Sequence, residues 1–550
     1  MKRALAQPTL AHAFRHAARC HGDQPALRDY GSDGVVTYRQ WLDRSGALAA
    51  GLHGLGVRAG DRVALLMGTR SEFHLIDVAA LLLGAVPFSL YTASPPAALR
   101  PCVENAGPRV LIADAVRAAA ARELVALCPQ IERLVLIDPD PADAMSLAEL
   151  ERSGAPDFDV DAAIDEVRPE GLCTLVYTSG TTGPPKGVPF EHRGLMQTMA
   201  AIHGHVPFSR AGRTVSYLPM AHIAERMFSH YAGFVFGMEI TSLADPAQLT
   251  SALREVRPTR FFGVPRTWEK VLAGVRRIEG GAPDADALDL PREVGLDAAE
   301  WLAVAGAPAG RDTLLALHAA GLPVAEMYGM SETIIATANP VDRIRVGTCG
   351  VALPGVELKL ADDGEVLIGG VTVMRGYFRD PERTAEVLRD GWMHSGDIGH
   401  LDDDGYLTIV DRKKALIITD GGKNMSPATI EQALKGGRPL LAQVVALGDG
   451  RPYVGALVVL DRDGVETVRL SAGLPSASFA ELTRHPVVRD AVEAAVTAGN
   501  ADLARVEQVR RYVVLDHDWV PGGPELTPTA KVRRGYVLDR YHEEIEELYR

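Results

Sequence analysis

An α/β fold is expected for this chain, on three observations. Through its first half, short apolar runs of strand length alternate with Ala- and Leu-rich segments of helical length. One such run, residues 172–176, feeds an eleven-residue loop of Gly, Pro, Thr, Ser, Tyr and Lys, YTSGTTGPPKG (177–187). After about residue 340 the texture turns to short strands joined by Asp-Gly turns. At 550 residues the chain exceeds what one hydrophobic core ordinarily serves, so two or more domains are expected.

Residues 10–18 space their apolar side chains as an amphipathic helix packed on the body. VVTYRQW reads as a strand, followed by an Ala/Leu-rich helix ending at residues 54–56. DRVALLMG (61–68), VPFSLY and RVLIAD read as further strands, and SEFHLIDVAALLLGA as a helix. TRFFGVPRTWEKVLAGV (259–275) repeats the rhythm of strand, loop and helix. Residues 279–297, acidic and rich in Pro and Gly, read as a surface loop or insertion. Hairpins are expected at Asp363-Gly364 and Asp404-Gly405. Roughly the last 130 residues mix strands (QVVALGDG, YVGALVVL, RRYVVL) with helices as a small α+β unit, closing on a helix over 537–549. Glu225 and Arg226, adjacent in the chain, read as a structural ion pair.

Composition narrows the function. The chain is 47% apolar and 23% charged, as a soluble globular protein is, and its net charge of −14 argues against nucleic acid as a partner. Five scattered cysteines with no CxxC pair argue against a zinc site or a disulfide framework and fit a reducing cytoplasm. The start MKRALAQPTLAHAFRHAARC lacks the apolar core of a signal peptide, and no apolar run is long enough to span a bilayer. Peripheral membrane contact and the oligomeric state stay open.

A loop such as 177–187 can set backbone N–H groups, hydroxyls and a lysine around a polyphosphate. It is not a P-loop, because Lys186 is followed by Gly187 rather than Ser or Thr, and no GxGxxG follows an early strand. Taken alone it is a phosphate-holding loop or a plain glycine-rich turn, at about even odds. Its companions decide between them: YLPMAHIAER (217–226), AGAP (305–308), MYGMSET (327–333), GWMHSGDIG (391–399), DRKKALIITDGGKNMSPATIE (411–431) and LTPTAKVRR (526–534). With these segments in this order, the chain resembles the adenylate-forming superfamily of acyl-CoA synthetases, luciferase and peptide-synthetase adenylation domains. GAVPFSLYTASPP (84–96) and RFFGVPRTWEKV resemble the long-chain and bubblegum-type branch.

The resemblance implies a large N-terminal domain (1–413) of two α/β subdomains plus a β-barrel-like subdomain. A small, mobile α+β C-terminal domain (414–550) would follow. It implies ATP and Mg2+, with a small carboxylic acid and coenzyme A as co-substrates. Thr178, Ser179, Gly180, Thr181, Thr182 and Lys186 would hold the phosphates, with Thr178 and Glu332 as magnesium ligands. Gly306, Ala307, Pro308, Tyr328 and Gly329 would face the adenine, Thr333 the α-phosphate, and Asp397 with Arg412 the ribose. Lys531 would be the catalytic lysine, and His222 would stand near the acyl carboxylate and the thiol route. Lys414 matches the hinge position, and Gly421 and Gly422 the thiol tunnel. Residues 228–240 are apolar enough for an acyl pocket and equally for ordinary core.

Two departures stand out. Only about 30 residues separate TWEKV from AGAP, short for the long-chain branch, and Gly369–Gly370 occupy the place of a usual Arg–Gly pair. The implied reaction is adenylation of a hydrophobic, fatty-type carboxylic acid followed by transfer to coenzyme A. Alternatives are an acyl carrier protein or amine as acceptor, an unusual acid such as nitrite, and a catalytically dead nucleotide-binding regulator.

Overall fold

The computed structural model describes the chain except residues 1, 139–143, 155–156, 179–183, 207, 209–211, 282–287, 419–423, 437 and 528–529. A first sheet runs in the order Met145–Ser146, Arg133–Leu136, Val110–Ala113, Arg62–Leu66, Val86–Ser89, Leu172–Thr178 and Lys186–Glu191. Neighbours are parallel except the last two strands, which are antiparallel. Val86–Ser89 and Val110–Ala113 are buried at every position, as strands covered on both faces must be.

A second sheet orders Arg213–Ser216, Glu239–Ser242, Pro25–Asp29 and Val35–Thr37. Thr259 N donates to Arg213 O at 3.0 Å and so carries the layer into Arg260–Gly263, Trp301–Val304, Val324–Tyr328, Thr337–Ala338 and Val351–Ala352. Strand alternation sorts side chains between cores. Val63 and Leu65 share one core with Ala303 and Met327, while Ala64 and Leu66 face a second core and Leu302 and Val304 a third. Helices Leu10–His21, Tyr38–Gly54 and Ser71–Leu82 fill the shared core. There Phe14 meets Trp41 and Phe234 edge-on, with centroids 4.9 and 5.5 Å apart.

The strand expected over VVTYRQW is shorter than its β-rich composition suggests. Thr37 and Gln40 form a reciprocal cap, so the helix starts at Tyr38. Of the surface loop expected over 279–297, residues 279–281 belong to helix Pro265–Gly281, residues 282–287 lie outside the described residues, and Leu290–Glu293 form a turn of helix capped by Asp289.

An antiparallel sheet follows, built from Val356–Leu360, Glu365–Gly370, Trp392–Leu401, Leu388–Arg389 and Leu407–Arg412. Its hairpins turn at Gly364 and Gly405 as expected, with φ of 83° and 80°. The C-terminal sheet sets Leu441–Leu447 against Val454–Leu460 antiparallel, with Val509–Val514 parallel on the other side. The expected final helix is two, Arg534–Arg540 and His542–Leu548. They part at Tyr541, which is buried and whose hydroxyl accepts from Trp519 Nε1 at 3.1 Å. All five cysteines are free thiols. Among the described residues no helix is long and apolar enough to cross a membrane.

Candidate active site

The site gathers where three sheets meet. Strand Leu172–Thr178 leads into the segment expected to hold phosphate, and Lys186 opens the returning strand directly opposite Thr178. Ser179, Gly180, Thr181 and Thr182 lie outside the described residues. Phe378 N donates to Gly187 O at 2.8 Å, which brings the segment RGYF alongside. Through it Tyr377 reaches the site: its hydroxyl donates to Glu332 Oε1 at 2.7 Å and accepts from Lys186 Nζ at 3.3 Å. Sequence reading did not single out Tyr377.

MYGMSET folds as a tight turn after Val324–Tyr328. Gly329 is required there, because a Cβ would meet Ile334 O at 2.3 Å. Thr333 is buried, and its hydroxyl accepts from Met330 N at 3.3 Å. Tyr328 donates to Asp397 Oδ2 at 2.6 Å, and Arg412 Nε reaches Asp397 Oδ1 at 2.8 Å. Asp397 and Arg412 pair in register across two antiparallel strands. Burial pushes the Asp397 carboxyl above its ordinary range, opposed by the Arg412 guanidinium and the Tyr328 hydroxyl. Gly306, Ala307 and Pro308 form an exposed turn after Trp301–Val304, Gly306 at φ 89°. The Gln432 amide caps this turn from the C-terminal side, reaching Pro308 O at 3.2 Å and Gly310 N at 2.5 Å with its oxygen towards Gly310.

Lys531 arrives on a loop held by its own hydrogen bonds, Thr527 N to Lys531 O at 2.8 Å and Lys531 N to Thr527 Oγ1 at 3.0 Å. Lys531 is exposed as a residue, while neighbouring protein crowds its side chain. That crowding, then the Arg412 cation, lowers its pKa, opposed by Asp397 and Glu332. His222 feels the same ammonium: its pKa falls to about 4, chiefly by burial and then by Lys531. Ala224 N donates to His222 Nδ1 at 3.2 Å, so the ring caps its own short helix.

The expected Glu225–Arg226 pair is not formed. Neighbours in a helix point about 100° apart, and the two side chains leave in different directions. Arg226 pairs with Asp77, which also binds His230 Nε2 at 2.9 Å, and all three side chains are fully buried. Glu225 instead accepts from Ser216 Oγ at 2.6 Å. Burial lifts its carboxyl to about 7. The folded state therefore keeps a proton that the unfolded chain releases near 4.5, and stability falls as pH rises from 4.5 to 7. Glu225→Gln should accordingly gain melting temperature relative to the parent on going from pH 5 to pH 8. A difference that stays flat with pH would refute this.

Residues 228–240, open between acyl pocket and core, are buried almost throughout. Arg226–Tyr231 wind as a π-helix, and Phe228 stacks on Phe262 with centroids 5.3 Å apart. Lys414 follows Lys413, whose Nζ contacts Asp363 Oδ2 at 2.5 Å and Glu365 Oε2 at 3.0 Å. Asp411 Oδ2 accepts from Ser426 Oγ at 2.5 Å and Ala428 N at 2.9 Å, tying the last strand before Lys414 to helix Pro427–Lys435 beyond it. Gly421 and Gly422 lie outside the described residues.

Magnesium takes one or two carboxylates and otherwise phosphate and water oxygens. The donor set fits: Glu332 is a buried carboxylate whose Oε1 accepts from the Tyr377 hydroxyl that Lys186 also reaches.

A model of the AMP-binding enzyme family matches residues 14–378, and one of the AMP-binding enzyme C-terminal domain matches 414–550. The chain is 39% identical over 448 residues to fadD11 of Mycobacterium tuberculosis, covering 74% of this chain and 78% of that one. It is 31% identical over 560 residues to the long-chain-fatty-acid–CoA ligase FadD15 of Mycobacterium bovis, covering 94% and 93%. The adenylation domain of the carboxylic acid reductase of Segniliparus rugosus, solved with AMP and a co-purified carboxylic acid, superposes with a TM-score of 0.81. It is 22% identical and covers 100% of this chain and 95% of that one.

Proposed function

Because this chain belongs to the AMP-binding enzyme family, we propose that it activates a hydrophobic, fatty-type carboxylic acid as acyl-AMP and passes the acyl group to coenzyme A. The observation that carries the reading is convergence. Lys186, Glu332, Asp397, Arg412 and Lys531 come from five separate segments and are linked through Tyr377 and an ion pair, with Lys531 close enough to feel Glu332, Asp397 and Arg412.

A carboxylate resists nucleophilic attack because charge piles on charge. Joining it to AMP turns the oxygen into a good leaving group. The carboxylate oxygen attacks the α-phosphorus, the bond to the β-phosphate oxygen breaks, and pyrophosphate leaves with the electron pair. Lys531 would lie between carboxylate and α-phosphate, screening their repulsion and orienting both. Lys186 would hold the outgoing phosphates, and Asp397 the ribose hydroxyls, its oxygens already accepting from Tyr328 and Arg412. Glu332 and Thr178 would hold magnesium, which when bound supplies positive charge to the phosphate oxygens. The thiol of coenzyme A would then displace AMP from the acyl carbon. We place the boundary between the two domains at 413/414 and the pivot at Lys414.

Pyrophosphate release should appear with fatty acids and magnesium ATP. Acyl-CoA should form only when coenzyme A is added. If no acid in a panel from short to long chains stimulates release, the ligase reading fails.

A further inference from the structure

Tyr377 lies 191 residues from Lys186 and 45 from Glu332 in sequence, and touches both. It is 6% exposed. A phenol has one proton to donate and lone pairs to accept with. Here the proton goes to the Glu332 carboxylate and the lone pairs face the Lys186 ammonium, which also stands 4.7 Å over the ring.

The backbone around it is fixed without help from that hydroxyl. Tyr377 N donates to Thr384 Oγ1 at 2.9 Å, and Thr384 Oγ1 donates to Asp380 O at 2.6 Å. Phe378 N holds Gly187 O, and Met374 N holds Glu332 O, each at 2.8 Å. The phenol oxygen is therefore not needed to dock this segment. Its contacts are with two opposite charges in a poorly hydrated recess, where attraction between them is strong. Both charges reach the same neutral oxygen rather than each other. Joined directly, they would have to be separated before either could meet a nucleotide.

On the reading that this site adenylates an acid, we propose that Tyr377 is a positioning residue. Its hydroxyl sits between the phosphate lysine and the metal-binding carboxylate, keeping the two from pairing directly and ready for magnesium ATP. When the nucleotide enters, Lys186 turns to the phosphate oxygens and Glu332 keeps the phenol's hydrogen bond on one oxygen, leaving the other free.

Tyr377→Phe keeps the ring and every backbone bond and removes one oxygen. Calorimetric binding of magnesium ATP should weaken about tenfold, with a matching rise in KM for ATP and in the magnesium concentration for half-maximal exchange. Transfer from synthetic acyl-AMP to coenzyme A, and the melting temperature, should stay at the parent's values. Unchanged nucleotide affinity and magnesium dependence would overturn the proposal. So would a parallel loss in both half-reactions, which marks a merely structural residue. A parent enzyme that binds magnesium ATP but makes no acyl-AMP would overturn the adenylation reading instead, while the calorimetric comparison still judges Tyr377.

Discussion

Lys531→Ala should slow acid-dependent exchange between ATP and pyrophosphate by roughly a hundred- to a thousandfold, the scale of losing one preorganised charge partner at a reacting centre. Lys531 brings the only ammonium that the C-terminal loop sends towards Asp397, Glu332 and His222 among the described residues. ATP should still bind, because Lys186, Tyr328, Asp397 and Arg412 belong to other segments. Conversion of preformed acyl-AMP to acyl-CoA should remain near the parent rate, since that step needs no further charge at the α-phosphate. An unaltered exchange rate would remove Lys531 from the mechanism.

Asp77→Asn should cost about 3–5 kcal/mol of stability, read as a lower denaturation midpoint for the N-terminal region. Asp77 is fully buried and binds Arg226 and His230. His230 Nδ1 lies 2.9 Å from His74 Nδ1, and His74 Nε2 lies 3.3 Å from Ser242 Oγ. Arg226 also donates to Ser89 Oγ at 3.0 Å. Burial lowers the pKa of both histidines, so Arg226 is the cation that faces Asp77. Without it the guanidinium is left uncompensated between two packed sheets. Replacing both charges, Asp77→Leu with Arg226→Met, should recover most of the loss, as buried pairs exchanged for apolar groups of similar size often do. A double variant no more stable than the single one would show that the network is held by something other than charge balance.

Much of the site was legible because its chemistry is concentrated in short runs. Lys186, Glu332, Asp397, Arg412 and Lys531 each sit in a distinctive string, and the fold brings these five strings together. Tyr377 was not legible. A tyrosine in RGYF reads as one more half-buried aromatic, and its meaning arises only when the fold lays it against residues far away in sequence. Arg226 was misread for a related reason. Adjacency suggested Glu225, but neighbours along a helix diverge, and the true partner lies on helix Ser71–Leu82, 149 residues earlier. The short strand before Tyr38 was hidden by β-rich composition that a local cap overrides.

The small helix capped by His222 limits what that ring can do. With Nδ1 occupied by the Ala224 N–H and a pKa of about 4, the neutral ring carries its only proton on Nε2. At physiological pH Nε2 can donate a hydrogen bond and has no lone pair with which to take a proton. His222 can steady a carboxylate oxygen. The proton of an attacking thiol must leave through some other group.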